Sequence, residues 1–124
     1  MYQIAAIAAG GAVGAVARFL VSGWVYALFG RAFPYGTLSV NVLGSAAMGF
    51  LYVMMIERLS VDGAWRAAIL VGFLGAFTTF STFSLETLNL VEGGELGKAI
   101  LNIVISVVVC VIAAWAGMIV GRQL

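Results

Sequence analysis

Four long apolar runs dominate this 124-residue chain and restrict what it can fold into. Each run reaches the ~20 residues that a helix needs to cross the hydrocarbon core of a bilayer. Hydrophobic residues make up 64% of the chain and charged residues 9%, whereas soluble domains carry about 25% charged residues. The sequence therefore predicts an all-α integral membrane protein. We expect a single domain over residues 1–124, with four transmembrane helices at roughly 3–28, 37–56, 65–90 and 96–120.

The chain offers few side chains for catalysis or for binding transition metals. Histidine is absent, Cys110 is the only cysteine and Asp62 is the only aspartate. The chain therefore has almost no residues from which to build a pair of catalytic acids, a nucleophile–base arrangement or a His/Cys metal site. We do not expect an enzyme. The net charge of +1 supplies no basic field for nucleic acid.

The basic residues divide almost evenly between the two sides of the predicted membrane domain. One side carries Arg58, Arg66 and Arg122, and the other carries Arg31 and Lys98, with Arg18 added if it snorkels. Orientation follows the Lys/Arg excess of cytoplasmic loops, so near balance predicts dual topology. If copies insert in both orientations, we expect them to form an antiparallel homodimer with its two-fold axis in the membrane plane. Inverted repeats produce the same symmetry within longer transporter chains.

The third run contains a dense group of hydroxyls and phenylalanines over residues 72–87, GFLGAFTTFSTFSLET. Gly72, Gly75 and the Thr/Ser-rich stretch 78–84 have weak helix propensity, so we expect the third helix to break near residues 75–80. Carbonyls freed by a break at membrane depth must be buried or must coordinate something such as a cation. Polar groups at this depth favour a permeation pathway. Phe80 and Phe83 could meet an anion with their ring edges, which carry partial positive charge.

Polar residues also recur at helical spacing in the second and fourth runs. Thr37, Asn41 and Ser45 lie every four residues and so share one helical face. They either bond to a neighbouring helix or line a path in which the Asn41 amide donates to an ion. The same two interpretations are open for Asn102 and Ser106.

The first run combines a glycine pattern with a charge. Gly10, Gly11 and Gly14 give a small-xxx-small pattern that lets another backbone approach closely. Arg18 follows within the apolar run, and it either snorkels to an interface or projects into a water-filled vestibule that concentrates anions.

Three motifs resemble those of the small fluoride channels known as the Fluc or CrcB family. They are GGAVGAVARF at 10–19, GTLSVNVLG at 36–44 and GFLGAFTTFSTFS at 72–84. With the length and the four-span layout, the likeness covers essentially the whole chain. It implies a fluoride-selective channel that exports cytoplasmic fluoride passively and electrogenically across the cell inner (plasma) membrane. It also implies an antiparallel, dual-topology homodimer with two pores.

The resemblance also implies roles for individual residues. It assigns the fluoride pore to Phe80, Phe83, Asn41, Ser81, Thr82 and Ser84, and it places Arg18 in a vestibule. The backbone carbonyls of Gly75 and Thr78 match positions that hold a structural Na⁺ at the dimer interface. In one departure, some family members carry a fourth-helix tyrosine by the pore, where this chain has Asn102.

Two other functions remain open on the residues alone. A small proton-coupled multidrug antiporter, also tiny and of dual topology, would use Glu86 as its proton carrier. Such exporters are expected to place their essential acid in the first helix, where this chain has Arg18. A non-transporting interaction subunit built on the glycine faces would show no ion flux.

Overall fold

The computed structural model describes residues 2–124 and consists of helices joined by short connections. In order, the elements are α1 (Tyr2–Phe29), α2 (Tyr35–Tyr52), a π-helical turn (Val53–Arg58), α3 (Gly63–Arg66), a second π-helical stretch (Ala67–Phe73), α4 (Leu74–Phe77), α5 (Ser81–Glu92) and α6 (Leu96–Gln123). They form four segments long and apolar enough to cross a membrane: Tyr2–Phe29, Tyr35–Arg58, Gly63–Glu92 and Leu96–Gln123. We call these the first to fourth spanning segments. The predicted all-helical architecture with four spanning segments is confirmed.

The first and third spanning segments pack backbone to backbone. A Cβ atom on Gly10 would collide with the carbonyl oxygen of Ala68, and one on Gly14 would collide with that of Phe73. The small-xxx-small pattern in α1 is therefore the contact face for the third segment, as its spacing predicts. This close approach sets the register between the two segments.

Glycine also brings α2 and α6 together, and these two helices share the most extensive contact in the fold. A Cβ atom on Gly49 would meet the Ala114 carbonyl, and one on Gly117 would meet the Ala46 carbonyl. Lipid tails are as apolar as the side chains, so close backbone packing of this kind is what holds membrane helices together.

The outside of the bundle is apolar, and its charges gather at the ends. Phe19 and Trp24, for example, lie exposed on α1, as expected of a surface that faces lipid. At one end Arg122 pairs with Glu57 at 3.1 Å, while at the other Lys98 donates to the Ala32 carbonyl at 3.3 Å. These charged residues therefore mark the two polar ends of the spanning region.

Two features of the backbone were not predicted from the sequence. The π-helical stretches Val53–Arg58 and Ala67–Phe73 widen the second and third segments locally. π-Helical turns are rare and often occur near functional sites. The second of them leads directly into α4 and the interruption described next.

Candidate functional site

α4 ends at Phe77 and α5 begins at Ser81, about halfway along the third spanning segment. Thr78 adopts an extended conformation with φ −89° and ψ 160°. Its hydroxyl and its N–H both donate to the Leu74 carbonyl, at 3.0 and 3.1 Å. Thr78 and Thr79 are β-branched, which lowers their helix propensity. We refer to residues 78–80 as the interruption.

Asn41 on α2 clamps the interruption from the side. Its Oδ1 accepts from the Thr79 N–H at 2.8 Å, and its Nδ2 donates to the Thr79 carbonyl at 3.1 Å. The side-chain amide thus satisfies both backbone groups of a residue that has left the helix. An asparagine NH₂ group carries two hydrogens, and the bond to the Thr79 carbonyl uses one of them.

Arg18 reaches the end of α4 from the first spanning segment. Its Nε donates to the Ala76 carbonyl at 3.0 Å, and its side chain is half-buried. The last carbonyls of a helix lack intrahelical partners, so Arg18 supplies one of them with a charged donor. The Gly75 carbonyl belongs to the same helix end, and over residues 2–124 it accepts no hydrogen bond from the chain.

Phe80 and Phe83 lie together but in different surroundings. Their ring centroids are 5.4 Å apart and their planes are tilted by 46°. Phe83 is buried, with 8% of its surface exposed, whereas Phe80 is 76% exposed. The pair therefore leads from the surface of one chain into its interior.

Both rings border a groove of about 430 Å³ between the interruption, α2 and α6. Apolar atoms form most of its wall. The polar side chains along the wall come from Asn41, Ser45, Thr78, Thr79 and Ser106. The groove lining contains no charged residue.

The structure separates the predicted pore residues into two groups. Asn41, Phe80 and Phe83 line the groove, whereas Ser81, Thr82 and Ser84 do not contribute to its wall. The Thr82 N–H donates to the Thr79 hydroxyl at 3.3 Å, and the Ser84 hydroxyl donates to the Phe80 carbonyl at 2.9 Å. These last two residues therefore fasten the start of α5 within one chain.

The chain matches the family model described as CrcB-like protein, Camphor Resistance (CrcB), over residues 5–118. It belongs to the CrcB family. A relative from Magnetococcus marinus is 59% identical over 120 residues, which are 97% of this chain and 98% of that protein. A relative from Geobacter sulfurreducens is 50% identical over the full length of both chains. A third, from Methylococcus capsulatus, is 60% identical over 96% of this chain, which spans only 52% of that longer protein. All three bear the name fluoride-specific ion channel FluC.

In this CrcB protein, Asn102 is part of a buried network between α5 and α6. Asn102 is 1% exposed, and its Nδ2 donates to the Thr87 hydroxyl at 2.9 Å. The Thr87 hydroxyl donates in turn to the Phe83 carbonyl at 2.8 Å, and the Ser106 hydroxyl donates to Asn102 Oδ1 at 3.3 Å. Asn102 therefore joins two helices, while Ser106 belongs both to this network and to the groove wall.

A second polar cluster of the CrcB protein involves Tyr26, which the sequence analysis did not single out. The Tyr26 hydroxyl donates to Glu86 Oε2 at 2.8 Å and lies 3.4 Å from the Thr37 hydroxyl. Glu86 Oε1 is buried without a hydrogen-bond partner in the described chain. The Arg31 guanidinium lies 4.4 Å from the centre of the Tyr26 ring. A tyrosine within an apolar helix was the available signal, because a buried hydroxyl needs a partner.

Proposed function

We propose that this protein is a fluoride channel through which cytoplasmic fluoride leaves the cell passively. The observation that carries the proposal is the groove beside the interruption, where Asn41, Phe80 and Phe83 come together without a formal charge. The proposal also draws on the CrcB family and on relatives named fluoride-specific ion channels.

Fluoride is small and strongly hydrated, so a path must replace its water with several close donors. The remaining Asn41 amide hydrogen, the Ser45 and Ser106 hydroxyls and the edges of the two phenylalanine rings have suitable polarity. Conduction also needs sites that release the ion. A groove without lysine or arginine avoids the deep well that a buried cation would create for an anion.

We further propose an antiparallel homodimer of dual topology with two pores. Support comes from the near balance of basic residues between the two ends and from the exposure of Phe80 at the outer edge of the groove. A second copy would cover this ring and close the open side of the path. In this arrangement both copies contribute an interruption near the middle of the membrane.

The Gly75 and Thr78 carbonyls are proposed to hold a structural Na⁺ at the dimer interface. Carbonyl oxygen is a ligand that hard cations accept, and the open Gly75 carbonyl at a helix end fits this role. Two carbonyl oxygens do not complete the shell of such an ion, so the remaining ligands would come from the second copy. When bound, the ion would offset the cost of bringing anions to this depth.

Fluoride efflux from liposomes tests the proposed function directly. Purified protein is reconstituted in liposomes loaded with potassium fluoride or potassium chloride, and efflux is followed with ion-specific electrodes, with empty liposomes as the control. We expect rapid fluoride loss that begins only when valinomycin lets potassium follow, and no matching chloride loss. Fluoride retained by liposomes that contain folded protein would contradict the proposal. Neither the geometry at Glu86 nor the relatives favour the antiporter alternative.

Topology and location need a separate experiment. We propose that the protein lies in the cell inner (plasma) membrane, and Glu92 is exposed beside the third join. A Glu92→Cys variant in a Cys110→Ser background can be treated in whole cells with a membrane-impermeant maleimide. Dual topology predicts labelling of about half of the copies, and complete labelling or none would contradict it.

A further inference from the structure

Arg18 contacts the third spanning segment at the helix end that precedes the interruption. We propose that Arg18 is a positioning residue, which holds the end of α4 so that the interruption keeps its conducting geometry. This inference rests on the proposed channel function. It differs from the predicted vestibule role, in which the charge of Arg18 would collect anions.

The hydrogen bonds at the end of α4 show what Arg18 holds in place. Among the last carbonyls of α4, that of Leu74 is taken by Thr78, and that of Ala76 is taken by Arg18 Nε at 3.0 Å. The C-terminal end of a helix carries partial negative charge, which a guanidinium complements. Without Arg18 this carbonyl would face the membrane interior with no donor from the described chain.

The packing of α1 explains why the side chain at position 18 arrives there. Gly10 and Gly14 press α1 against the backbone of the third segment near Ala68 and Phe73. Arg18 lies one helical turn beyond Gly14, on the same face of α1. The first and third segments run in the same direction, so the next turn of α1 meets the end of α4. The glycine contacts therefore fix the distance across which Arg18 must reach.

The ion pairs in the structure also favour a positioning role for Arg18. The ion pairs of residues 2–124 join Lys98 to Glu95 and Arg122 to Glu57, and neither includes Arg18. The partner that the structure shows for Arg18 is a backbone carbonyl. Its charge is thus directed at a helix end, three residues before Thr79, which Asn41 clamps.

Two substitutions at Arg18 separate a positioning role from an anion-collecting role. Gln places its Nε2 at the same point along the side chain as the Nε of Arg, so Arg18→Gln keeps the donor and loses the charge. Lys carries a methylene at that point and its ammonium group one bond further out, so Arg18→Lys keeps the charge but has no donor at the position from which Nε reaches the Ala76 carbonyl. Arg18→Met removes both and serves as the reference for complete loss.

The flux assay measures the maximal rate at saturating fluoride and the fluoride concentration that gives half of it. We expect Arg18→Gln to keep most of the maximal rate. Arg18→Lys and Arg18→Met should lose about tenfold or more, the ratio that one hydrogen bond from a charged donor can account for. Normal flux in Arg18→Lys with loss in Arg18→Gln would overturn the proposal in favour of anion collection. Equal rates in all variants would also overturn it.

A second readout does not depend on flux. Hydrogen–deuterium exchange of the peptide that contains residues 74–84 reports how firmly the interruption is held. We expect faster exchange in Arg18→Lys and Arg18→Met, and near-normal exchange in Arg18→Gln. Unchanged exchange in Arg18→Lys would refute the positioning role even if the wild-type protein proved not to conduct fluoride. Loss of flux in the wild type itself would instead reject the proposed function.

Discussion

The clamp between Asn41 and Thr79 gives a prediction that separates structure from conduction. Asn41→Leu keeps the approximate shape of the side chain and removes both hydrogen bonds to Thr79, at 2.8 and 3.1 Å. The N–H and the carbonyl of Thr79 then lose their partners within a non-helical stretch at membrane depth. Both the stability of the fold and the path beside it should suffer.

The size of the stability loss follows from two backbone groups. Leaving one buried polar group unpaired costs about 1 to 3 kcal/mol, which gives about 2 to 6 kcal/mol for the pair. Hydrogen bonds between transmembrane helices average only about 0.6 kcal/mol and reach about 1.7 kcal/mol, which gives roughly 1 to 3 kcal/mol for two. The lower part of the first range and the upper part of the second overlap between about 2 and 3 kcal/mol. We therefore expect Asn41→Leu to lower the free energy of unfolding by about 2 kcal/mol.

Asn41→Asp adds a test of the same clamp that depends on pH. A protonated carboxyl group can accept from the Thr79 N–H and donate to its carbonyl, as the amide does, whereas a carboxylate can only accept. A carboxylate about 4 Å from the ion would also raise the electrostatic energy of fluoride by about 4 kcal/mol at an effective dielectric constant near 20. Fluoride flux in this variant should therefore fall as the pH rises and recover on acidification.

Unfolding in mixed micelles measures the first effect, and liposome efflux measures the second, with empty liposomes at each pH. Ser45→Ala is the matched control for the unfolding assay, because Ser45 lines the same groove one helical turn away and has no bond to Thr79. A change within about 0.5 kcal/mol for Asn41→Leu would refute the clamp, since even two weak membrane hydrogen bonds exceed it. Equal flux of Asn41→Asp at both pH values would refute the role of Asn41 beside the path.

Three further changes test separate parts of the structure. Phe80→Ile should lower fluoride flux about two- to tenfold, which corresponds to one aromatic contact, and unchanged efflux would remove the aromatic role. Asn102→Leu should cost about 1 to 3 kcal/mol in the micelle unfolding assay, and a double-mutant cycle with Thr87→Val should show coupling; additive effects would contradict the buried bond. Gly117→Val should lower the free energy of unfolding by about 1 to 3 kcal/mol, because the added side chain meets the Ala46 carbonyl. Gly23 has open space around it, so Gly23→Val should be near neutral. Equal effects of the two changes would argue against the packing of α2 on α6.

Family membership, and the motifs whose residues the structure brings to one groove, could be predicted from local patterns. The motif at residues 72–84 combines Phe80 and Phe83 with hydroxyl groups, and the structure brings those rings to one groove with Asn41. The spacing of Gly10 and Gly14 predicted a close helix contact, which the structure shows against the third segment. These features depend on residues near one another in sequence, so their spacing is informative.

The partners of the polar side chains could not be read in this way. Asn41 pairs with a residue 38 positions away, Arg18 with one 58 positions away and Tyr26 with one 60 positions away. Helical periodicity states which residues share a face, but it does not state which neighbour that face meets. Both interpretations of Asn41 and of Asn102 were therefore open, and the network with Thr87 was missed.

The sequence by itself determined that this chain is a membrane domain of four helical segments, because hydrocarbon requires every backbone polar group to be satisfied within a long apolar helix. The tertiary structure decided how the exception to that rule is accommodated. Backbone groups at the interruption bond to Asn41, and a carbonyl at the helix end before it bonds to Arg18; these two side chains lie on two other segments. Only the rotation and register of packed helices, set by close contacts such as those of Gly14, can bring those side chains to that point.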